Sequence, residues 1–469
     1  MPTLESLPQI IQGGMGVAVS SWRLANAVSR TGQLGVISGT GMDTVLIRRL
    51  QDGDRGGHVR RAMERFPIPG VAQEILERYF NANGRPAGVP YKLLPMYKQT
   101  VSAAKQRVTI LANFVEVWLA KDGHGGPVGI NLLTKVQMPN TASLYGAMLA
   151  GVNFVLMGAG IPREIPGVLD ALAEHRTATM RFDVEGSGRD TIDELRFDPM
   201  SFWSAPPPTV ERPRFIAVVA AASLATTLAR KSNGRVDGFV VEGPNAGGHN
   251  APPRGELQLT DRGEPIYGDR DVVDLTKLRE LSLPFWIAGG VGSPEGRREA
   301  MATGAAGIQV GTLFAFCDES GLDDSTKQET LDAVRDRRVS IHTDPRASPT
   351  GYPFKVVSLH DRSNHAGRQR VCDIGYLRTP VRTDTGRLVY RCAAEPVDAY
   401  VAKGGAIADT VGRRCLCNGL LASAGYAQLR GDAVEPPIVT SGDELLRMHR
   451  FLGKRQRYSA ADVIAYLLS

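Results

Sequence analysis

The 469-residue sequence contains no run of about twenty apolar residues, so no membrane-spanning helix is expected. Its opening residues, Met1–Ser6, carry neither the basic nor the apolar segment of a secretion signal, which leaves the cytoplasm as the expected compartment. Dense stripes of Lys and Arg are missing, as are nucleic-acid-binding motifs, and no nucleic-acid partner is expected. Cysteine is limited to five residues, and in a cytosolic chain disulfides are disfavoured. What remains suits a soluble globular protein with a large core, since 42% of residues are apolar and 22% charged. The length exceeds one ordinary domain, yet an elaborated barrel absorbs most of it.

Apolar runs and helical segments alternate along the first part of the chain. Pro8–Gln12 reads as a strand running into Gly13-Gly14-Met15-Gly16, and a helix follows to about Arg30 with Ser20 or Ser21 as its cap. Leu34–Ile37 is a second buried strand, which completes one βαβ unit and marks a parallel sheet. Further strands are expected at Pro127–Asn131, Val152–Met157, Arg214–Val219, Val236–Val241, Leu283–Ile287 and Ala306–Ile308. Two interruptions separate them. Residues 42–126 are rich in helix formers, notably Val71–Phe80 and Val101–Ala120, and read as a large helical insertion over the barrel, because structureless loops of that length are uncommon. Thr177–Glu185 has strand character, but the polar, Pro-rich sequence after it assigns 177–213 to a second insertion, a hairpin. The count is then eight, and the expected fold is an α/β (β/α)8 TIM barrel over residues 1–330. Past Phe316 the alternation stops. Residues 331–469 read as a helical and irregular C-terminal extension packed on the barrel, with capping boxes at Ser441/Glu444 and Ser459/Asp462.

In such a barrel the active site lies where the strands end. Ala288-Gly-Gly-Val-Gly292 and Gln309-Val-Gly-Thr312 end consecutive strands in glycine, which lets bare backbone N–H groups approach an anion closely. The pair points to a phosphorylated ligand held near Gly289, Gly290, Gly311 and Thr312. Other strand ends are small too (Gly14, Gly158, Gly247, Gly248), which leaves room for a large flat ligand and favours flavin mononucleotide (FMN) over a sugar phosphate. Asn131 either hydrogen-bonds the edge of such a ring or caps its own loop. Met15 fills space under the ligand. His249, behind Gly247-Gly248, is the strand-end side chain able to exchange protons near neutral pH and is the candidate general acid or base.

The combination Ile10-Ile-Gln-Gly-Gly-Met-Gly16, Gly129-Ile-Asn131, Gly247-Gly-His249, Ala288-Gly-Gly290 and Val310-Gly-Thr312 resembles the nitronate monooxygenases, formerly 2-nitropropane dioxygenases, across about residues 8–316. The resemblance implies an FMN-dependent (β/α)8 enzyme that takes electrons from an alkyl nitronate into FMN and returns them to O2. It implies flavin contacts at Gly14, Met15, Asn131, Gly247 and Gly248, and phosphate contacts at Gly289, Gly290, Gly311 and Thr312. It also implies a catalytic His249 acting on the substrate nitro group or on a carbon-bound proton. The two insertions, the extension and Asn250-Ala-Pro-Pro-Arg254 depart from ordinary members. They look more like the stand-alone enoyl reductases of polyketide and polyunsaturated fatty acid synthases, where the flavin takes hydride from NAD(P)H and passes it to an enoyl thioester. FMN is implied on either branch; the substrate is not. A third reading, outside catalysis, is a barrel that binds a phosphorylated metabolite and regulates a partner.

The net charge of +6 sits unevenly: residues 331–469 hold 21 Lys and Arg against 14 Asp and Glu, whereas residues 1–330 hold 34 against 35. The excess is either a solvated basic face or a surface for an acidic partner such as a coenzyme A thioester or an acyl carrier protein. Homo-oligomerisation is left open. Cys372, Cys392, Cys415 and Cys417 raise the question of a thiolate metal site. Their one close pair, Cys-Leu-Cys, matches no zinc spacing, and buried structural thiols are the preferred reading.

Overall fold

The computed structural model describes residues 7–188, 191–359 and 368–469; Met1–Ser6, read above for a leader, lies outside them. Eight parallel strands close into a barrel: β1 (Ile10–Gln12), β2 (Leu34–Ser38), β3 (Val128–Leu133), β4 (Phe154–Gly158), β5 (Arg214–Val219), β6 (Gly238–Glu242), β7 (Phe285–Ala288) and β8 (Gly307–Val310). β8 returns to β1 in the register Gln12↔Val310. The two-residue period of a strand sorts the apolar residues into two layers. Ile11, Val36, Leu156, Ile216, Val240 and Trp286 form an inner cluster that plugs the barrel. Their neighbours Ile10, Ile37, Val155, Phe215, Phe239 and Phe285 face the larger core beneath the helices. A filled interior leaves the strand ends as the place for a ligand.

β4 pairs directly with β5 through Phe154↔Arg214, so Ala178–Arg181 is no barrel strand. It pairs antiparallel with Glu194–Phe197 outside the barrel. Its residues are alternately buried and exposed, whereas barrel strands are covered on both faces.

Four helices, Met42–Gln51, His58–Met63, Val71–Tyr79 and Ala103–Lys121, lie between β2 and β3. The fourth takes a place in the outer helical layer, packed against the helices Trp22–Ser29 and Asn140–Leu149. Its Ala120 and Asp122 carbonyls accept the Asn26 side chain at 3.1 and 2.8 Å. Its Glu116 accepts the Trp22 N–H at 2.9 Å and so caps the helix Trp22–Ser29. The expected serine cap does not form there: the Ser21 side chain makes no capping bond, and Ser20 turns to the β1 loop. Among the described residues no helix is long and apolar enough to cross a membrane.

Beyond β8 the chain contains helices, including Asp324–Arg335, Leu416–Ser423 and Ala460–Leu468, and the Ser459/Asp462 capping box forms. It also contains hairpins that the sequence reading did not assign. One pairs Ser340–Asp344 with Phe354–Ser358, and another pairs Thr379–Arg382 with Leu388–Arg391. Their strands are only four or five residues long and mix polar with apolar positions, so no run stands out. The capping box expected at Ser441/Glu444 is absent; Gly442 precedes a short 3-10 helix, Asp443–Arg447.

Candidate active site

The loops after β1, β3, β6, β7 and β8 surround a cavity of about 250 Å³ at the C-terminal end of the barrel. Gly14, Met15, Asn131, Gly247, Gly248, His249, Gly289, Gly290, Gly311 and Thr312 all border it. Ser20 knots the first loop. Its Oγ accepts from Gln12 Nε2 and from Met15 N–H, and donates to the Gly13 carbonyl, each at 2.9 Å. Glycine at position 14 is a steric necessity, because a Cβ there would stand 2.4 Å from Asn131 Cβ. The Asn131 amide borders the cavity with no hydrogen-bond partner among the described residues, so it is free to meet a ligand. Met15 Sδ lies against Gly311, 3.3 Å from where a Cβ would be.

Gly289 and Gly290 take φ of +91° and +78°, a conformation other residues rarely adopt, and their turn faces the cavity. Residues 440–444 are fastened over these loops. Thr440 Oγ1 accepts the Gly248 N–H at 2.8 Å, Thr312 Oγ1 accepts the Gly442 N–H at 3.1 Å, and Glu444 accepts the Gly292 N–H. Ser441 Oγ lies 3.3 Å from Thr312 Oγ1. Ser441 and Glu444 fail to make a capping box because the barrel loops have claimed both side chains. Burial pushes the Glu444 carboxyl up, with the Gly292 hydrogen bond opposing.

The loop bearing His249 is held by the hairpin strand Phe354–Ser358: Asn250 N–H donates to the Pro353 carbonyl at 2.9 Å and Lys355 N–H to the Gly248 carbonyl at 3.0 Å. The imidazole packs edge-on against Phe354 and Tyr352, with ring centres 4.9 and 6.4 Å away. Its Nε2 is 2.7 Å from Ser348 Oγ, which is 2.8 Å from Thr350 Oγ1. Thr350 Oγ1 in turn accepts from Lys135 Nζ at 3.4 Å. Burial, aided by the Lys135 charge, holds His249 well below the ordinary histidine value. The ring is therefore neutral at pH 7, a proton acceptor or neutral donor and no standing acid.

Sequence reasoning missed two ionisable neighbours. Glu242 closes β6 and lines the cavity. Burial pushes its carboxyl up to about 7, against the attraction of Lys135. Lys135 lies two residues past β3, and burial brings its ammonium down to about 7, against the attraction of Glu242. Asking which strand ends carry a carboxylate would have found Glu242. Lys135, Ser348 and Thr350 offered no local signal, since their meeting depends on the hairpin.

All five cysteines are free thiols. The Cys392 thiol, hydrogen-bonded to Cys372, holds Cys372 below its usual range. Burial pushes Cys415 up to about 11 and raises Cys417, which reaches the cavity wall. Among the described residues no three His, Cys, Asp or Glu side chains are grouped to hold a metal ion.

Residues 201–344 match the nitronate monooxygenase family. The chain is 30% identical over 178 residues to a nitronate monooxygenase from Pseudomonas aeruginosa, covering 38% of this chain and 44% of that one. It is 31% identical over 137 residues to (3aS,4S,5R,7aS)-5-hydroxy-7a-methyl-1-oxo-octahydro-1H-indene-4-carboxyl-CoA dehydrogenase from Rhodococcus jostii, covering 29% and 33%. These alignments span less than half the length of either relative. Among solved structures, the enoyl reductase domain of MlnA from Bacillus amyloliquefaciens aligns over 98% of this chain and 93% of that one, at 13% identity and a TM-score of 0.47.

Proposed function

We propose that this chain, similar to the nitronate monooxygenases, is an FMN-dependent oxidoreductase that oxidises alkyl nitronates with O2. The observation that carries the reading is the convergence of a neutral histidine, an unpartnered amide and two glycine loops on one cavity. The residues suit FMN: a Cβ at Gly14 would displace Asn131 from the cavity wall, and one at Gly289 would press on the Gly243 and Ala246 backbone of the loop after β6, so glycine keeps these cavity-lining loops in place. In this reading the backbone N–H groups of Gly289, Gly290, Gly311 and Thr312 hold the phosphate. Gly14 and Met15 pack beneath the ring, Asn131 meets its polar edge, and Gly247 and Gly248 leave space beside it.

FMN bound there supplies a two-electron acceptor that O2 reoxidises. The side chains supply position and proton transfer. Neutral His249, held through Nε2 by Ser348, hydrogen-bonds an oxygen of the nitronate NO2 group or, for the neutral nitroalkane, takes the proton from the adjoining carbon to form the nitronate. Val439–Gly442 form part of the cavity wall and exclude water from the reacting groups.

A second reading, an NAD(P)H-dependent reductase of acyl thioesters, is favoured by the match to a CoA-ester dehydrogenase and by the basic excess beyond residue 330. An absorbance spectrum of the purified protein separates the readings when repeated anaerobically with propyl-2-nitronate and, separately, with NAD(P)H. Flavin bands bleached by the nitronate alone support the monooxygenase. Bleaching by NAD(P)H alone moves the assignment to the thioester reductase. No flavin bands, even after incubation with FMN, overturn both and leave a metabolite-binding regulatory barrel.

A further inference from the structure

Lys135 is an exception among the lysines withdrawn from solvent. Lys105 has Asp43 at 2.7 Å, Lys355 has Asp443 at 2.7 Å, and Lys327 has Asp324 at 3.4 Å. No ion pair reaches Lys135 among the described residues; its Nζ meets only Thr350 Oγ1 at 3.4 Å and the face of Tyr352 at 4.4 Å. An ammonium has three donors, so at least one is unused. The residue is not a dangling surface lysine. Its N–H donates to the Ala159 carbonyl at 3.2 Å, and the preceding Thr134 N–H donates to the Gly158 carbonyl at 2.9 Å. The facing carboxyl, Glu242, lines the cavity and is equally without a hydrogen-bond partner among the described residues. Glu242 and His249 both border the cavity, and Lys135 is tied to His249 through Thr350 and Ser348, so an unused ammonium donor and an unpartnered carboxyl are brought to one end of it.

We infer that Lys135, with Glu242 opposite and His249 beside it, forms a subsite for a small delocalised oxyanion. The unused ammonium donor takes one oxygen, and a protonated Glu242 donates to another. For its substrate the inference rests on the oxidoreductase reading, in which the nitronate NO2 group is that anion. The subsite itself needs no flavin. The groups facing Lys135 are Glu242 from the end of β6, His249 from the following loop, and Thr350 and Tyr352 from the hairpin connection. An arriving anion favours the ammonium and the protonated carboxyl together, so binding above neutral pH takes up protons.

Nitrate, a planar oxyanion, is the probe. Isothermal titration of the full chain at constant ionic strength, in buffers of different ionisation enthalpy, reads affinity and proton uptake together. The wild type is expected to bind nitrate with proton uptake that grows from pH 6 to pH 8. Lys135→Met should weaken binding at least about tenfold, as loss of a charged hydrogen bond would, and remove the lysine's share of the uptake. Lys135→Arg should keep binding without lysine-linked uptake, and Glu242→Gln should tighten binding by removing the competing carboxylate. Nitrate binding that is absent in the wild type, or unchanged in Lys135→Met with the fold intact by circular dichroism, overturns the subsite. If nitrate binds through Lys135 in a protein that never takes up FMN, the subsite stands and the oxidoreductase reading falls.

Discussion

Glu444 accepts the backbone N–H of Gly292, 152 residues earlier in the chain, and so brings a carboxyl group onto the glycine loop after β7. That loop is the proposed seat of the FMN phosphate, and a carboxylate beside a phosphate repels it. Burial raises the Glu444 pKa, so the neutral acid persists to higher pH than an exposed glutamate would. FMN affinity is therefore expected to fall as pH rises and Glu444 ionises. Fluorescence-quenching titrations at successive pH values above the ordinary glutamate range should show a progressive loss in the wild type, relative to Glu444→Gln, of about tenfold in all. Equal pH dependence in the two proteins would remove Glu444 from the phosphate site.

His249→Gln is expected to lower kcat by about 10²–10⁴ while leaving FMN bound, the usual range for a lost acid–base group. Because the folded imidazole titrates well below the ordinary histidine value, any break in the wild-type kcat/KM near pH 7 should belong to Lys135 and Glu242 and should persist, at the lower rate, in His249→Gln. A steady-state profile with a break at 6.5 assigned to His249 would contradict a buried neutral ring.

Gly14→Ala places a methyl group 2.4 Å from Asn131 Cβ and should evict that side chain from the cavity wall. The expected outcome is a protein that folds but loses flavin, read as the flavin-to-protein absorbance ratio. Gly125→Ala is the control, since nothing lies within 4 Å of a Cβ there, and it should keep a full complement.

Asp43 is buried and takes hydrogen bonds from Tyr376 and, at 2.7 Å, from both Tyr97 and Lys105. Burial alone would raise its carboxyl, but Lys105 and the hydrogen bonds win and hold it below its usual value. Asp43→Asn leaves Lys105 without its counter-charge and should cost about 3–5 kcal/mol in urea unfolding. In the wild type this contribution is complete above the unfolded carboxylate range and is lost as pH falls through the depressed folded value. Tyr376 lines the cavity, so the same variant should also bind FMN less tightly.

The barrel was legible in the sequence because strands covered on both faces are continuous apolar runs. Leu34–Ile37 and Phe215–Val219 announce themselves, and the one ambiguous run, Ala178–Arg181, is betrayed by its polar surroundings. The glycine loops were legible because close backbone approach admits few other residues. The company of His249 was not. Ser348, Thr350 and Tyr352 reach it through a hairpin whose mixed strands carry no strong period, and its pairing with the β6 loop is a long-range contact. Ser441 and Glu444 have the spacing of a helix cap, yet tertiary hydrogen bonds outcompeted the local motif. Lys135 stands out only once its lack of a counter-ion is known.

Thr312 and Gly442 close on each other across 130 residues of sequence. On a ribosome, the glycine turns of β7 and β8 emerge well before the segment that covers them. At ordinary elongation rates of about 5–20 residues per second the gap is on the order of ten seconds. For that interval the strand-end loops stand without residues 440–444 over them, and only then is the cover made. The order of translation thus exposes the glycine turns before it supplies their cover.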